Sequence, residues 1–207
     1  MLKRFLIMTI AIGFVLPGVA HAAYGDVANG KALSEACWDC HGEGGKSEMG
    51  MFPRLSGLRA EYIVKQLRDF QVENRMDDTM GPMAAMVEEG QDMKDVAAYF
   101  ASFKMEGKPG AHKSSLADKG KALYYEGNPD TGVYACVNCH GKDGDGKKAW
   151  IFPVLGGQYR EYLVKQLTDF KEGTRVNDPA LMMAKVAKMM SDEEIEAVSE
   201  YLSGSSE

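Results

Sequence analysis

Cys37-Trp38-Asp39-Cys40-His41 and Cys136-Val137-Asn138-Cys139-His140 are two copies of one five-residue pattern, and together they use every cysteine in the chain. In C-x-x-C-H the two thiols are spaced to add across the two vinyl groups of one haem. The imidazole beside the second thiol is thereby brought under the iron. A thioredoxin-like reading of C-x-x-C needs a βαβ setting, which the flanking sequence lacks. A four-cysteine zinc site joining the pairs would have to bridge 99 residues and two repeat copies. A disulfide within each pair would leave the histidine of both copies without a purpose. The motifs therefore predict two covalently bound haem c groups. Cys37, Cys40, Cys136 and Cys139 are the attachment points, and His41 and His140 the proximal iron ligands.

The repetition extends well beyond the cysteines. Phe52-Pro53-Arg54-Leu55-Ser56-Gly57 is answered by Phe152-Pro153-Val154-Leu155-Gly156-Gly157. Glu61-Tyr62-Ile63-Val64-Lys65-Gln66-Leu67 is answered by Glu161-Tyr162-Leu163-Val164-Lys165-Gln166-Leu167. Asp69-Phe70 and Arg75 recur as Asp169-Phe170 and Arg175, all at an offset of 100, whereas the cysteine motifs are offset by 99. Gly30-Lys31-Ala32-Leu33 recurs as Gly120-Lys121-Ala122-Leu123, and the second copy carries a longer loop around Gly127–Gly132. Two copies of this length indicate a duplicated domain; solenoid units are shorter and come in threes or more. Gly107, Pro109, Gly110 and two serines mark a linker. The expected division is residues 24–105 and 115–205, joined by 106–114. At this size a domain core usually needs a staple, a role that covalent haem fills.

A haem that only transfers electrons takes a second axial ligand, His or Met. His21 falls in the N-terminal leader described below, and His112 sits in the linker with no counterpart in the first copy. Methionines are abundant after each cluster: Met76, Met80, Met83, Met86 and Met93 in the first half, Met182, Met183, Met189 and Met190 in the second. At the repeat offset Met83 pairs with Met183, and no other methionine in these windows has a methionine partner. Met83 and Met183 are therefore the expected sixth ligands, with Met80 and Met182 next in line; the remainder fill irregular space around a flat macrocycle. An iron-bound histidine commonly donates its other ring N–H to a carbonyl. Pro53 and Pro153, 12 and 13 residues after the two histidines, supply a carbonyl without an N–H and are the expected acceptors. Tyr62, Tyr162, Gln66, Gln166, Arg75 and Arg175 repeat as well. They suit haem propionates or a domain interface, and equally ordinary packing with solvated Arg and Gln.

Composition narrows the class. Thirty acidic residues against 24 basic leave a net charge of −6, which argues against a nucleic-acid binder. Beyond the first two dozen residues no stretch is apolar enough to span a bilayer. Residues 1–22 read as an export signal: Lys3 and Arg4, an apolar run from Phe5 to Val19, then Ala20-His21-Ala22. Its removal leaves a charge of −8, and the destination is an oxidising compartment such as a periplasm. Periodicity is helical: middle helices near Ala60–Phe70 and Arg160–Phe170, and last helices over Asp92–Phe103 and after Ser191. The last is opened by a Ser191/Glu194 capping box and presents Ile195, Val198 and Leu202 on one face. Shorter helices precede each cysteine motif, and almost no sheet is expected.

At these motifs the sequence resembles the dihaem cytochrome c4 family over nearly all of residues 23–207. The resemblance rests on the two C-x-x-C-H motifs, the Phe-Pro-x-Leu-x-Gly and Tyr-x-x-Lys-Gln-Leu-x-x-Phe blocks, and methionine followed by a Ser-Asp-Glu-Glu helix. It implies an all-α fold of two tandem class I cytochrome c domains, related by a pseudo-twofold with their haems close across the interface. It also implies His/Met ligation in both and a periplasmic electron carrier without catalytic activity. The partners implied are redox proteins, a donor dehydrogenase or cytochrome complex and an acceptor terminal oxidase. Soluble and membrane-associated members both occur, so peripheral membrane attachment stands among the expectations. Gly90-Gln91-Asp92 departs from the Leu-Ser-Asp-like approach to the last helix, and Trp38 occupies a free position of its motif. Three alternatives stay open: a haem subunit dedicated to one dehydrogenase, for example in sulfur-compound oxidation; a haem peroxidase with one exchangeable ligand; and a copper(I) site at Met76, Met80, Met83 and Met86, a spacing the second half lacks.

Overall fold

The computed structural model describes residues 24–105, 107, 114–146 and 149–203. The expected export signal, His112 with most of the expected linker, and the final four residues lie outside them. Among the described residues ten α-helices follow in two sets of five. The first set is α1 (Val27–Leu33), α2 (Trp38–His41), α3 (Ala60–Gln71), α4 (Met80–Ala85) and α5 (Gln91–Ala101). The second is α6 (Ser115–Glu126), α7 (Val137–His140), α8 (Arg160–Glu172), α9 (Met182–Met189) and α10 (Asp192–Leu202). The all-α expectation holds. Pairing of extended chain is limited, among the described residues, to one isolated bridge between Asn128 and Val133 in the longer loop of the second half.

Local chemistry explains where the helices begin. The Asp26 carboxylate accepts the Ala28 and Asn29 N–H groups at 2.8 and 3.1 Å and opens α1. Ser114 does the same for α6 through Ala117 at 3.1 Å. Ser191 and Glu194 form the expected reciprocal capping box at α10, satisfying two N–H groups that a helix start leaves without partners. The middle helices bury Ile63 and Phe70 in α3, Leu163 and Phe170 in α8.

In each half the first and last helices cross at a glycine. A Cβ on Gly30 would lie 1.9 Å from the Asp95 carbonyl oxygen, and one on Gly120 1.8 Å from that of Ala197. Two helix backbones meet there because nothing projects between them. This close crossing seals two apolar cores. One gathers Leu58, Ile63, Val87, Met93, Val96, Tyr99 and Phe100; the other Leu123, Tyr124, Leu163, Met190, Ile195, Val198, Tyr201 and Leu202.

The halves are not identical. Asp95 is buried and its carboxylate accepts the Asp26 N–H, Asn29 Nδ2 and Gln91 Nε2 at 2.7–2.8 Å. These hydrogen bonds hold it below the usual carboxylate range. At the equivalent crossing the second half has Ala197 and uses the exposed Lys119–Glu193 ion pair and an Asn128–Glu194 hydrogen bond instead. Helices α4 and α9 do not stand out in the sequence. Gly81-Pro82 resembles a break, yet proline is tolerated in a first helical turn, where its missing N–H costs nothing.

Gly30→Ala should destabilise the first half by about 1–3 kcal/mol, the cost of overpacking a tight contact. Gly81→Ala, where an added methyl meets nothing within 4 Å and the gain in helix propensity is opposed by the following proline, should change stability by less than about 1 kcal/mol. Denaturant unfolding of the two variants beside the parent checks the contrast.

Candidate haem sites and the interface between them

Each C-x-x-C-H motif runs through a single short turn of helix that ends at a glycine with positive φ. Gly42 has φ 72° and Gly141 φ 80°, a conformation other residues avoid. The turn directs the imidazole inward: His41 and His140 are 5% and 6% exposed. His41 Nδ1 lies 2.8 Å from the Pro53 carbonyl oxygen, and His140 Nδ1 3.1 Å from that of Pro153. A carbonyl can only accept, so Nδ1 carries the proton and the Nε2 lone pair is free for a metal. Burial pushes both imidazoles below the usual histidine range, which favours the neutral, ligating form. Phe52 and Phe152 stand edge-on to the two rings at 6.3 and 6.1 Å between centroids.

The four thiols are free. Cys37, Cys40 and Cys136 are half-buried and Cys139 is exposed. Burial, then the neighbouring Cys40, pushes the Cys37 thiol up, and burial takes Cys136 up to about 11. Among the described residues no three His, Cys, Asp or Glu side chains converge as a metal-binding group, so thiols and imidazole are not arranged as a zinc cage. Two half-buried or exposed thiols beside an imidazole turned inward fit a macrocycle bonded at its edge and ligated at its centre.

Burial sorts the methionines. Met93 and Met190 belong to the apolar cores, Met76, Met86 and Met182 are exposed, and Met80, Met83, Met183 and Met189 are half-buried. Met83 is the fourth residue of α4 and Met183 the second of α9. Gln71 of α3 holds the end of α4 by donating Nε2 to the carbonyls of Ala84 and Val87 at 2.8 and 2.7 Å.

Between the halves lies a polar network built from the repeated residues of the middle helices. Gln166 Oε1 accepts from both guanidiniums, Arg75 Nη2 at 2.7 Å and Arg175 Nη1 at 2.6 Å. Gln66 Oε1 likewise accepts Arg75 Nη1 at 2.7 Å and Arg175 Nη2 at 3.2 Å. Arg75 also reaches Tyr162 OH at 3.1 Å, and Arg175 reaches Tyr62 OH at 3.3 Å. Each arginine lies over the Phe70 or Phe170 ring of its own half. Burial alone would raise the Tyr162 phenol, but the Arg75 and Arg175 charges outweigh it and leave the group below its ordinary value. These residues thus build the interface, one of the roles their repetition suggested. Two cations whose hydrogen bonds go to neutral Tyr, Gln and Asn oxygens also form an environment that favours an anion, and haem propionates match it.

Three interface residues carry no repeat signal. Gln158 pairs with the Arg54 backbone in both directions, accepting its N–H at 2.9 Å and donating to its carbonyl at 3.0 Å. The Arg54 guanidinium stacks on Tyr159 at 4.2 Å and donates to the Gly157 carbonyl at 2.5 Å. Asn177 donates to Asp69 Oδ2 at 2.6 Å and to Gln66 Oε1 at 3.1 Å. Their counterparts in the other copy, positions 58, 154 and 77, are Leu, Val and Asp, so register alone does not disclose them. Since Arg54 follows Pro53, the second half grips the segment that orients His41.

Comparison with known proteins agrees with this geometry. The family model described as Cytochrome c matches residues 27–104 and 117–206. The chain is 40% identical to cytochrome c4 of Pseudomonas aeruginosa, over 96% of its own length and 98% of that protein. It is 39% identical to the thiosulfate dehydrogenase electron acceptor of Stutzerimonas stutzeri, covering 80% of this chain and 77% of that one. The crystal structure of reduced recombinant cytochrome c4 from Pseudomonas stutzeri superposes with a TM-score of 0.81 at 37% identity, covering 88% of this chain and all of that one.

Arg175→Met keeps the apolar stem but leaves Tyr62, Gln66, Gln166 and Asn177 short of a donor. It should cost about 2–4 kcal/mol, the scale for orphaned buried polar groups. Lys165→Ala, which removes an exposed pair with Asp169, should cost under about 1 kcal/mol. Thermal and denaturant unfolding of the holoprotein compares the two.

Proposed function

The chain belongs to the cytochrome c family and, within it, to the dihaem cytochromes c4, and from that premise we propose that it is a periplasmic electron carrier working between redox proteins of a respiratory chain. The observation that carries the reading is the buried histidine with Nδ1 committed to a proline carbonyl and Nε2 left free, formed twice at equivalent points of the chain. Its iron, when haem is bound, alternates between two oxidation states and carries one electron per site.

The residues have separate tasks. Cys37, Cys40, Cys136 and Cys139 tether the two macrocycles through thioethers. His41 and His140, held in orientation by Pro53 and Pro153, would ligate the iron through Nε2. Met83 and Met183 would supply the second ligand, and thioether ligation favours the reduced iron relative to a second histidine. An iron held by both residues would offer no place for a substrate. Arg75 and Arg175 would offset the propionate charges, and with Tyr62 and Tyr162 they hold domains 24–105 and 115–205 against one another. The N-terminal segment directs export and is removed.

Recognition is expected to be electrostatic. The first half carries fifteen acidic against ten basic residues over positions 24–110, the second fifteen against twelve over 111–207, and propionates add negative charge to both. A basic patch on a partner suits the more acidic half, an interaction that salt screens. The similarity to a thiosulfate dehydrogenase electron acceptor supports a second reading, in which the chain serves one sulfur-oxidising dehydrogenase. Co-purification of such a polypeptide from the native host separates the two.

Two variants test the ligands. Met83→Ala and Met183→Ala should each remove about half of the weak red-end absorption band of Met–Fe(III) bonding, and the double variant all of it. A full-strength band in either single variant rules out that methionine. Separately, reduction by a partner should slow as ionic strength rises from about 0.01 to 0.15 M, over which the screening length shrinks several-fold. Stopped-flow rates that are flat over this range argue against electrostatic docking.

A further inference from the structure

The two methionine segments are built differently. Met83 lies inside α4 and its N–H points to the Thr79 carbonyl at 3.5 Å. The first turn of α4 is held by Asp77 Oδ1, which accepts the Thr79 and Met80 N–H groups at 3.1 and 2.9 Å. No residue from 74 to 84 has positive φ. In the second half, α9 is entered through Ala180 (φ 56°, ψ 22°) and Leu181 (φ 54°, ψ 37°), two consecutive left-handed residues that are not glycine. Side chains resist that conformation, and such strain persists only where neighbouring contacts impose it.

A carboxylate spans this turn. Asp178 Oδ2 accepts the Met183 N–H at 2.6 Å and the Ala184 N–H at 3.4 Å, bridging the strained pair. The Asp178 carbonyl accepts the Leu181 N–H at 3.2 Å and closes the turn from below. Asp178 Oδ1 is buried and has no hydrogen-bond partner. The carboxylate is therefore anchored through α9 alone, and its charge faces the positive end of that helix.

We propose that Asp178 is the positioning residue for the sixth ligand of the second haem. Its carboxylate clamps the Met183 backbone against the strain at Ala180 and Leu181, so that the sulfur of Met183 stays on the iron. In the first half the carboxylate of Asp77 holds Thr79 and Met80 at the start of α4 rather than Met83 itself, which is carried within the helix with no left-handed residue before it. This inference rests on Met183 being a ligand. It makes the second iron the one whose methionine is released when the single carboxylate that holds its backbone is lost.

The test uses the ferric holoprotein, with two haems per chain verified by mass, and cyanide as the probe of an opened position. Asp178→Ala should lose about half of the Met–Fe(III) band and bind cyanide at one haem about tenfold or more faster than the parent, the scale of a lost charge-assisted hydrogen bond. Asp178→Asn keeps an acceptor oxygen without the charge and should shift the rate in the same direction by a smaller factor. It decides the question on its own should the alanine variant not fold. Adding Ala180→Gly and Leu181→Gly to Asp178→Ala should restore the band, because glycine adopts the turn freely. A full-strength band with parental cyanide kinetics in Asp178→Ala, or parental behaviour of Asp178→Asn where only that variant folds, overturns the proposal. Met183→Ala distinguishes this from failure of the ligand assignment: if that variant also keeps the full band, Met183 is not the ligand. If it halves the band while the Asp178 variants do not, only the clamp is wrong.

Discussion

The hydrogen bond from a buried imidazole to a proline carbonyl is the constraint around which each half is organised. It demands a histidine turned inward, hence the glycine with positive φ that ends each attachment helix. Its acceptor in each half is the carbonyl of a proline, a residue that offers an acceptor and no N–H. It also fixes how the chain must return, 12 residues on in one half and 13 in the other. The apolar cores, the phenylalanine beside each ring and the close crossing of first and last helices keep this bond in a dry setting, where a neutral imidazole is preferred.

Duplication supplies the interface as well as the sites. Residues at the same place on, or just after, α3 and α8 face one another, so one sequence block yields a reciprocal network: Arg75 meets Tyr162 and Gln166, Arg175 meets Tyr62 and Gln66. Sharing each glutamine oxygen between two guanidiniums places two positive charges side by side, an arrangement that is costly without a nearby anion. The side chains that join the halves are thereby also the ones suited to an anionic group.

The copies diverge where one half meets the other or where a helix must be entered. Arg54 binds across to Gln158 while Val154 packs against the first core. Asn177 crosses to Asp69 while Asp77 stays within its own half and caps α4. Asp95 fastens α1 to α5, and Ala197 leaves α6 and α10 to be tied by other groups. Such differences give two chemically similar centres unequal surroundings.

Much of this was legible without coordinates. The spacing C-x-x-C-H carries its own chemistry, the offset of 100 reveals the duplication, and helical periodicity with the Ser191/Glu194 box locates the last helix, because these signals are local or strictly repeated. The helices bearing Met83 and Met183 were not legible, since Gly81-Pro82 looks like a break and nothing in Ala180-Leu181 announces left-handed backbone. Nor were the partners of Arg54, Gln158 and Asn177, which depend on residues more than 100 positions away in the other copy. The order of residues by itself determined the class of cofactor, the doubled helical domain and the proline acceptors, since each follows from bonding geometry over a few residues. Only the tertiary structure decided how the two halves dock, which methionines are half-buried rather than core or exposed, and that a carboxylate holds the turn before Met183. Those are properties of distances between segments that the chain brings together only by folding.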